Sequence, residues 1–125
     1  MSRPWVVKAG GELMGSNSAR QQIIKELAKL AKKHPLIFVH GGGAQIEAEL
    51  VKNNIHAEFI GGRRVTSPEA MVVVERVLSG QVNKMIVGEL NQQKQLSVGL
   101  SGRDGALVVA KPIENLGRAA KPVKV

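Results

Sequence analysis

Leu36-Ile37-Phe38-Val39-His40-Gly41-Gly42-Gly43 runs from an apolar, β-branched stretch straight into three glycines. A short run of that kind reads as a buried strand closing in a tight turn. A turn without Cβ atoms lets backbone N–H groups come close to an anion. A helical pattern follows at once, from about residue 44 to 53. The turn amides therefore sit at a helix N-terminus, where the dipole favours negative charge. The same arrangement occurs earlier, where Trp5-Val6-Val7-Lys8 leads into Ala9-Gly10-Gly11. Lys8 stands at the lip of that turn as a mobile point charge suited to phosphate. Two such turns on neighbouring parallel strands face one crevice, and that is the outline of a phosphate-transfer site.

Outward from these turns the chain alternates strand and helix. Strand 1 is expected over about residues 4–8 and strand 2 over 36–40. Between them Ser16–Ser18 is turn-like and caps a helix over roughly 18–33, with Ile23, Ile24, Leu27, Leu30 and Ala31 at helical spacing and lysines opposite. His34-Pro35 ends it, because the residue before proline is pushed out of the α region. In the helix over 44–53, Ile46 and Leu50 point inward and Asn53-Asn54 makes a left-handed stop. Glu58-Phe59-Ile60 is a short extended piece before Gly61-Gly62-Arg63-Arg64.

Thr66-Ser67-Pro68-Glu69 starts a helix, either with Ser67 as cap and Pro68 in the first position, or with Thr66 and Glu69 as a capping box. Met71, Val74, Val77 and Leu78 form its expected face, Ser79-Gly80 interrupts it, and a further helix with Val82, Met85, Ile86 and Leu90 runs to about 94. Residues 96–100 and 106–110 read as strands around the turn Ser101-Gly102-Arg103-Asp104-Gly105, and Val123-Lys124-Val125 as the start of another. Alternating strands and helices imply an α/β fold with a largely parallel sheet.

Composition narrows the function classes. With 125 residues and 43% hydrophobic content, the chain suits one domain with a real core; aromatics at 2% leave that core to Val, Ile, Leu, Ala and Met. The absence of cysteine excludes a disulfide scaffold and a thiolate zinc site. No apolar stretch has the length of a membrane span and no signal-peptide pattern is present, so a cytoplasmic protein is expected. The net charge of +8 is spread over one helix face (Arg20, Lys25, Lys29, Lys32, Lys33) and the tail (Lys111, Arg118, Lys121, Lys124). It lacks the stacking aromatics of a nucleic-acid surface, since only Trp5, Phe38 and Phe59 are aromatic. A solvated surface plus a site for small anions is the reading, without nucleic acid or membrane as partner.

Each candidate residue has a plainer alternative. Three glycines in a row exceed what a strand–helix turn needs and cost chain entropy, which favours anion binding over a bare turn. The turn matches neither Gly-x-x-x-x-Gly-Lys-Ser/Thr nor Gly-x-Gly-x-x-Gly. Arg64, just before a helix start, either grips a carboxylate bidentately or is a surface arginine. His40 reads as a packed strand-end histidine, and His34 and His56 as surface residues; their placement has no metal-ligand spacing. Asp104 reads as a turn former.

Lys8-Ala9-Gly10-Gly11, Val39-His40-Gly41-Gly42-Gly43, Gly62-Arg63-Arg64-Val65-Thr66, Gly80-Gln81-Val82-Asn83-Lys84 and Gly99-Leu100-Ser101-Gly102-Arg103-Asp104-Gly105 follow one another along the chain. In that order and spacing they resemble the amino acid kinase family, and within it the branch that phosphorylates N-acetyl-L-glutamate. The resemblance spans essentially the whole chain. It implies a three-layer α/β/α sandwich with a mainly parallel sheet. It also implies phosphoryl transfer from ATP, with Mg2+, to the side-chain carboxylate of N-acetyl-L-glutamate, giving an acyl phosphate in arginine biosynthesis. By the family pattern Lys8 is catalytic, stabilising the transition state. Gly10, Gly11 and Gly41 bind phosphate, Gly42 and Gly43 contact the substrate through their amides, and Arg64 holds its α-carboxylate. No metal ligand and no tightly bound cofactor are expected from this chain.

Family members carry a further nucleotide-binding lobe, so residues 1–125 are expected to be the N-terminal, amino-acid-binding half and to be inactive alone. Only Met1-Ser2-Arg3 precede the first strand, so association no larger than a homodimer is expected. Two alternatives stay open: a non-catalytic module that holds an acylated amino acid, and a kinase of the same family acting on a different amino acid.

Overall fold

A computed structural model describes residues 3–111. The order is β1 (Trp5–Ala9), α1 (Gly11–Gly15), α2 (Asn17–Ala31), β2 (Leu36–His40), α3 (Gly43–Lys52), β3 (Glu58–Ile60), β4 (Arg63–Val65), α4 (Pro68–Glu75), a π-helical turn (Arg76–Val82), α5 (Asn83–Gln92) and a 3-10 turn (Asp104–Ala106). β1 and β2 pair in parallel, Trp5 opposite Leu36 through Ala9 opposite His40. This is the α/β class with a parallel sheet that the alternation of strands and helices implies. Among the described residues no helix is long and apolar enough to cross a membrane.

Strand alternation decides which sheet face is covered. Val7, Leu36 and Phe38 pack on a core of Met14, Ile24, Leu27, Ile46, Leu50, Val73, Val77, Val82, Ile86 and Leu90, supplied by the helices. Val6, Ile37 and Val39, on the opposite face, are exposed. The described helices thus make one layer against the sheet, and among the described residues its opposite face is open.

Several elements differ from the sequence expectation. Gly11–Gly15 is a short helix rather than a plain turn, and it buries Met14 completely. Gly61 and Gly62 both take positive φ, +56° and +74°, the requirement of a two-residue hairpin turn. They fold Arg63–Val65 back onto Glu58–Ile60 as an antiparallel hairpin. At the next helix Ser67 is the cap: its hydroxyl accepts from the Ala70 N–H at 3.2 Å, with Pro68 in the first turn. The buried face of α4 is Ala70 and Val73 rather than Met71, which is half exposed.

Ser79-Gly80 does not interrupt the helix. The chain widens into a π turn, and the buried positions step by five from Val77 to Val82 before returning to Ile86 and Leu90. A regular α-turn would have brought Gln81 inward instead; the π turn buries Val82 and Asn83.

The expected strands at 96–100 and 106–110 do not form. Residues 96–100 have side-chain rather than strand partners, with the Ser97 N–H on Asn91 Oδ1 and the carbonyls of Gly99 and Leu100 on Lys84 and Asn83. Beyond Asp104 the chain turns through Ala106 at φ +52°, and the Val108 N–H returns to the Gly102 carbonyl at 2.9 Å. That closure prevents extension. Val123-Lys124-Val125 lies outside the described residues.

Candidate functional site

The parallel register sets Ala9 opposite His40, so both strands deliver their glycines at the same sheet edge. The turns then touch, backbone to backbone. A Cβ on Gly11 would lie 2.9 Å from the Gly43 nitrogen and 3.4 Å from the Gly42 nitrogen; one on Gly41 would lie 3.2 Å from the Gly11 nitrogen. At Gly11 and Gly41 the backbone of the facing turn occupies the space a side chain would need. Gly10 and Gly43 have open space where a Cβ would go.

Gly42 caps α3 with extended backbone, and Gly43 is its first helical residue. The free amides at this helix start carry the positive end of the dipole. Gly42 is buried beneath the π turn, with Leu78 Cδ2 2.8 Å and Val82 Cγ2 3.4 Å from the place of its missing Cβ. Leu78 and Val82 therefore wall the glycine turn with apolar surface on that side.

Lys8 is exposed one residue before the end of β1, with no ion-pair partner among the described residues. A cation at the edge of two amide-rich turns can neutralise charge on an incoming anion without first breaking a bond. Arg64 is set apart from the turns themselves. The hairpin places it opposite Phe59, its guanidinium 4.7 Å from the ring centroid, and Nη1 donates to Glu47 Oε2 at 2.9 Å. Glu47 lies one turn along α3 from Gly43, so Arg64 is docked on the helix that the glycine turn begins. Its side chain is 16% exposed and that of Glu47 49%.

The structure thus gathers Lys8, Gly10, Gly11, Gly41, Gly42 and Gly43 at one edge and ties Arg64 to them through α3. Phe59 and Glu47, which orient Arg64, went unnoticed in the sequence, although the two-glycine loop is itself a hairpin signal. Arg20 is not part of a free basic face. It is largely buried, joining α2 to Glu89 of α5 at 3.0 Å and to the Met14 carbonyl at 3.2 Å. His34 stacks on Trp5 with ring centroids 4.4 Å apart, His56 is exposed, and His40 Nδ1 meets the Gly41 carbonyl at 3.2 Å.

A cleft of about 260 Å³ opens between the π turn, α5 and residues 99–104. Asp104 serves the turn there: its carboxylate accepts from the Ser101 N–H and hydroxyl. Chiefly the backbone bond, then the hydroxyl, holds its pKa below the ordinary carboxylate range.

Residues 3–121 match the sequence pattern of the amino acid kinase family. The chain belongs to that family. Among similar proteins, the acetylglutamate kinase of Endomicrobium trichonymphae is 40% identical over 125 residues, all of this chain and 50% of the relative. That of Ruegeria pomeroyi is 42% identical over 123 residues, 96% of this chain and 42% of the relative. That of Deinococcus radiodurans is 44% identical over 117 residues, 93% and 45% respectively. The chain spans about half the length of the curated relatives it matches.

Proposed function

We propose that the sheet edge where the two glycine turns meet is the acceptor site of an ATP-dependent kinase that phosphorylates the side-chain carboxylate of N-acetyl-L-glutamate. The observation that carries this reading is the backbone contact of Gly11 with Gly42 and Gly43 near the end of a strand whose Lys8 has no ion-pair partner among the described residues. The names of the relatives point the same way. A side-chain carboxylate has an ordinary pKa of about 4.3, so at neutral pH it is already ionised and needs no general base. What the reaction needs is positioning and charge neutralisation.

In this reading a carboxylate oxygen attacks the γ-phosphorus of ATP, the bond to the bridging oxygen breaks, and ADP leaves with the electron pair. Lys8 offsets charge on the transferred group. Gly10, Gly11 and Gly41 admit the phosphoryl oxygens close to backbone. The Gly42 and Gly43 amides hold the acceptor and Arg64 its α-carboxylate. The Mg2+ of a kinase commonly rides on the nucleotide phosphates. The acyl phosphate formed is the product that arginine biosynthesis consumes, and the setting is the cytoplasm.

Residues 1–125 are the amino-acid-binding half in this account, with nucleotide held by the remainder that the longer relatives carry. The alternative reading is a module that binds the acylated amino acid without turnover. Titration calorimetry with N-acetyl-L-glutamate and N-acetyl-L-glutamine tests binding. Isotope transfer from labelled ATP, with and without a complementing C-terminal half, separates kinase from binding module. Binding of the acid but not the amide, with transfer only on complementation, is expected. Equal affinity for both would overturn the assignment of a carboxylate acceptor.

A further inference from the structure

Gly80–Lys84 and Gly99–Gly105, which the reaction above does not use, meet each other in space. Asn83 is 7% exposed, the one polar residue buried among the described core residues. Its Nδ2 donates to the Leu100 carbonyl at 3.3 Å, and its Oδ1, otherwise unpartnered, fills the space a Cβ of Gly99 would take. Lys84 Nζ donates to the Gly99 carbonyl at 3.0 Å. On the same helical turn, Leu78 and Val82 press on Gly42. One face of the π turn thus walls the glycine turn while the next residues grip residues 99 and 100.

We infer that Asn83 is a positioning residue for the glycine-turn site: by holding Gly99–Leu100 it fixes the turn of helix whose Leu78 and Val82 set the place of Gly42. The inference rests on the reading of Gly42 and Gly43 as acceptor-binding amides. Burying an amide costs free energy unless its groups are bonded, so a side chain kept buried for one donated bond is specific in what it fixes. The π turn is what brings it inward, since regular helical spacing buries Gln81.

The test uses the isotopically labelled chain with Asn83→Asp, which keeps the shape and removes the donor. The Gly42 and Gly43 amide resonances should move. Exchange of the Ile46 amide, which donates to the Gly42 carbonyl at 2.9 Å, should speed up by about tenfold relative to the Ile24 and Leu27 amides of α2, and N-acetyl-L-glutamate should bind about tenfold more weakly. A merely structural role would accelerate exchange throughout the chain instead. Lys84→Gln, at an exposed position, should shift the same glycine amides in the same direction but less, and it answers if Asn83→Asp fails to fold. Unmoved Gly42 and Gly43, or uniform acceleration, overturns the inference. Failure of the unsubstituted chain to bind N-acetyl-L-glutamate overturns the proposed function instead, and the exchange pattern still decides the role of Asn83.

Discussion

Gly11→Ala places a methyl group 2.9 Å from the Gly43 nitrogen and 3.4 Å from the Gly42 nitrogen. The first distance is roughly 0.5 Å inside ordinary van der Waals contact. The atoms it meets are backbone, and one belongs to the first residue of α3, so no side chain can swing aside. Either β1 and β2 splay at their ends or α3 tilts. Overpacking of this kind costs typically 1–3 kcal/mol, against which alanine at a helix start returns less than about 1 kcal/mol. A net loss of about 1–2 kcal/mol should lower the melting midpoint by about 3–8 °C. Gly10→Ala and Gly43→Ala meet nothing within 4 Å and should leave the midpoint nearly unchanged. Thermal melts followed by far-ultraviolet circular dichroism compare the three in one experiment. The reasoning is refuted if Gly11→Ala melts with the unsubstituted chain, or if Gly10→Ala falls as far.

Arg64→Ala should weaken N-acetyl-L-glutamate binding by about 1.5–3 kcal/mol in calorimetry, and Arg64→Lys should not restore it, because an ammonium lacks the planar fork that meets both Glu47 and a carboxylate. In the complemented enzyme, Lys8→Ala should depress turnover more than acceptor affinity, because its charge matters most where charge develops; steady-state kinetics separates the two. Gly99→Ala should lower the melting midpoint, since its methyl would collide with the Asn83 amide and lie 2.8 Å from Val87 Cγ2. Asp104 titrates below its ordinary range when folded, so its contribution to the turn is complete above the ordinary carboxylate pKa and is lost as pH falls through the lowered one. Asp104→Asn should therefore flatten the acid limb of a stability–pH curve.

The strands and helices easiest to read in the sequence were those whose signals are local. β2 ends where the apolar run ends, and α3 keeps Ile46 and Leu50 inward as its spacing requires. Ser67-Pro68 starts α4 by the chemistry of its cap. What escaped depended on partners distant in sequence. The run 96–100 alternates like a strand, but its carbonyls are claimed by Asn83 and Lys84, which no alternation pattern reveals. Ser79-Gly80 reads as a break because glycine weakens a helix, yet five-residue spacing from Val77 to Val82 carries the helix through. The glycine turns were legible as turns closing two strands; that Gly11 and Gly43 would touch follows from strand register, which the turns alone do not fix. Arg64 stood out as a cation, while Phe59 and Glu47, which aim it, became visible only once the hairpin formed.

The most direct test of the paired-turn site is an amide-resolved titration of the labelled chain with N-acetyl-L-glutamate. Saturable movement of the Gly11, Gly42 and Gly43 amides, with the exposed lysines of α2 unmoved, is the predicted result. Movement confined to the lysine face of α2, or none at the glycines at millimolar ligand, would contradict the account.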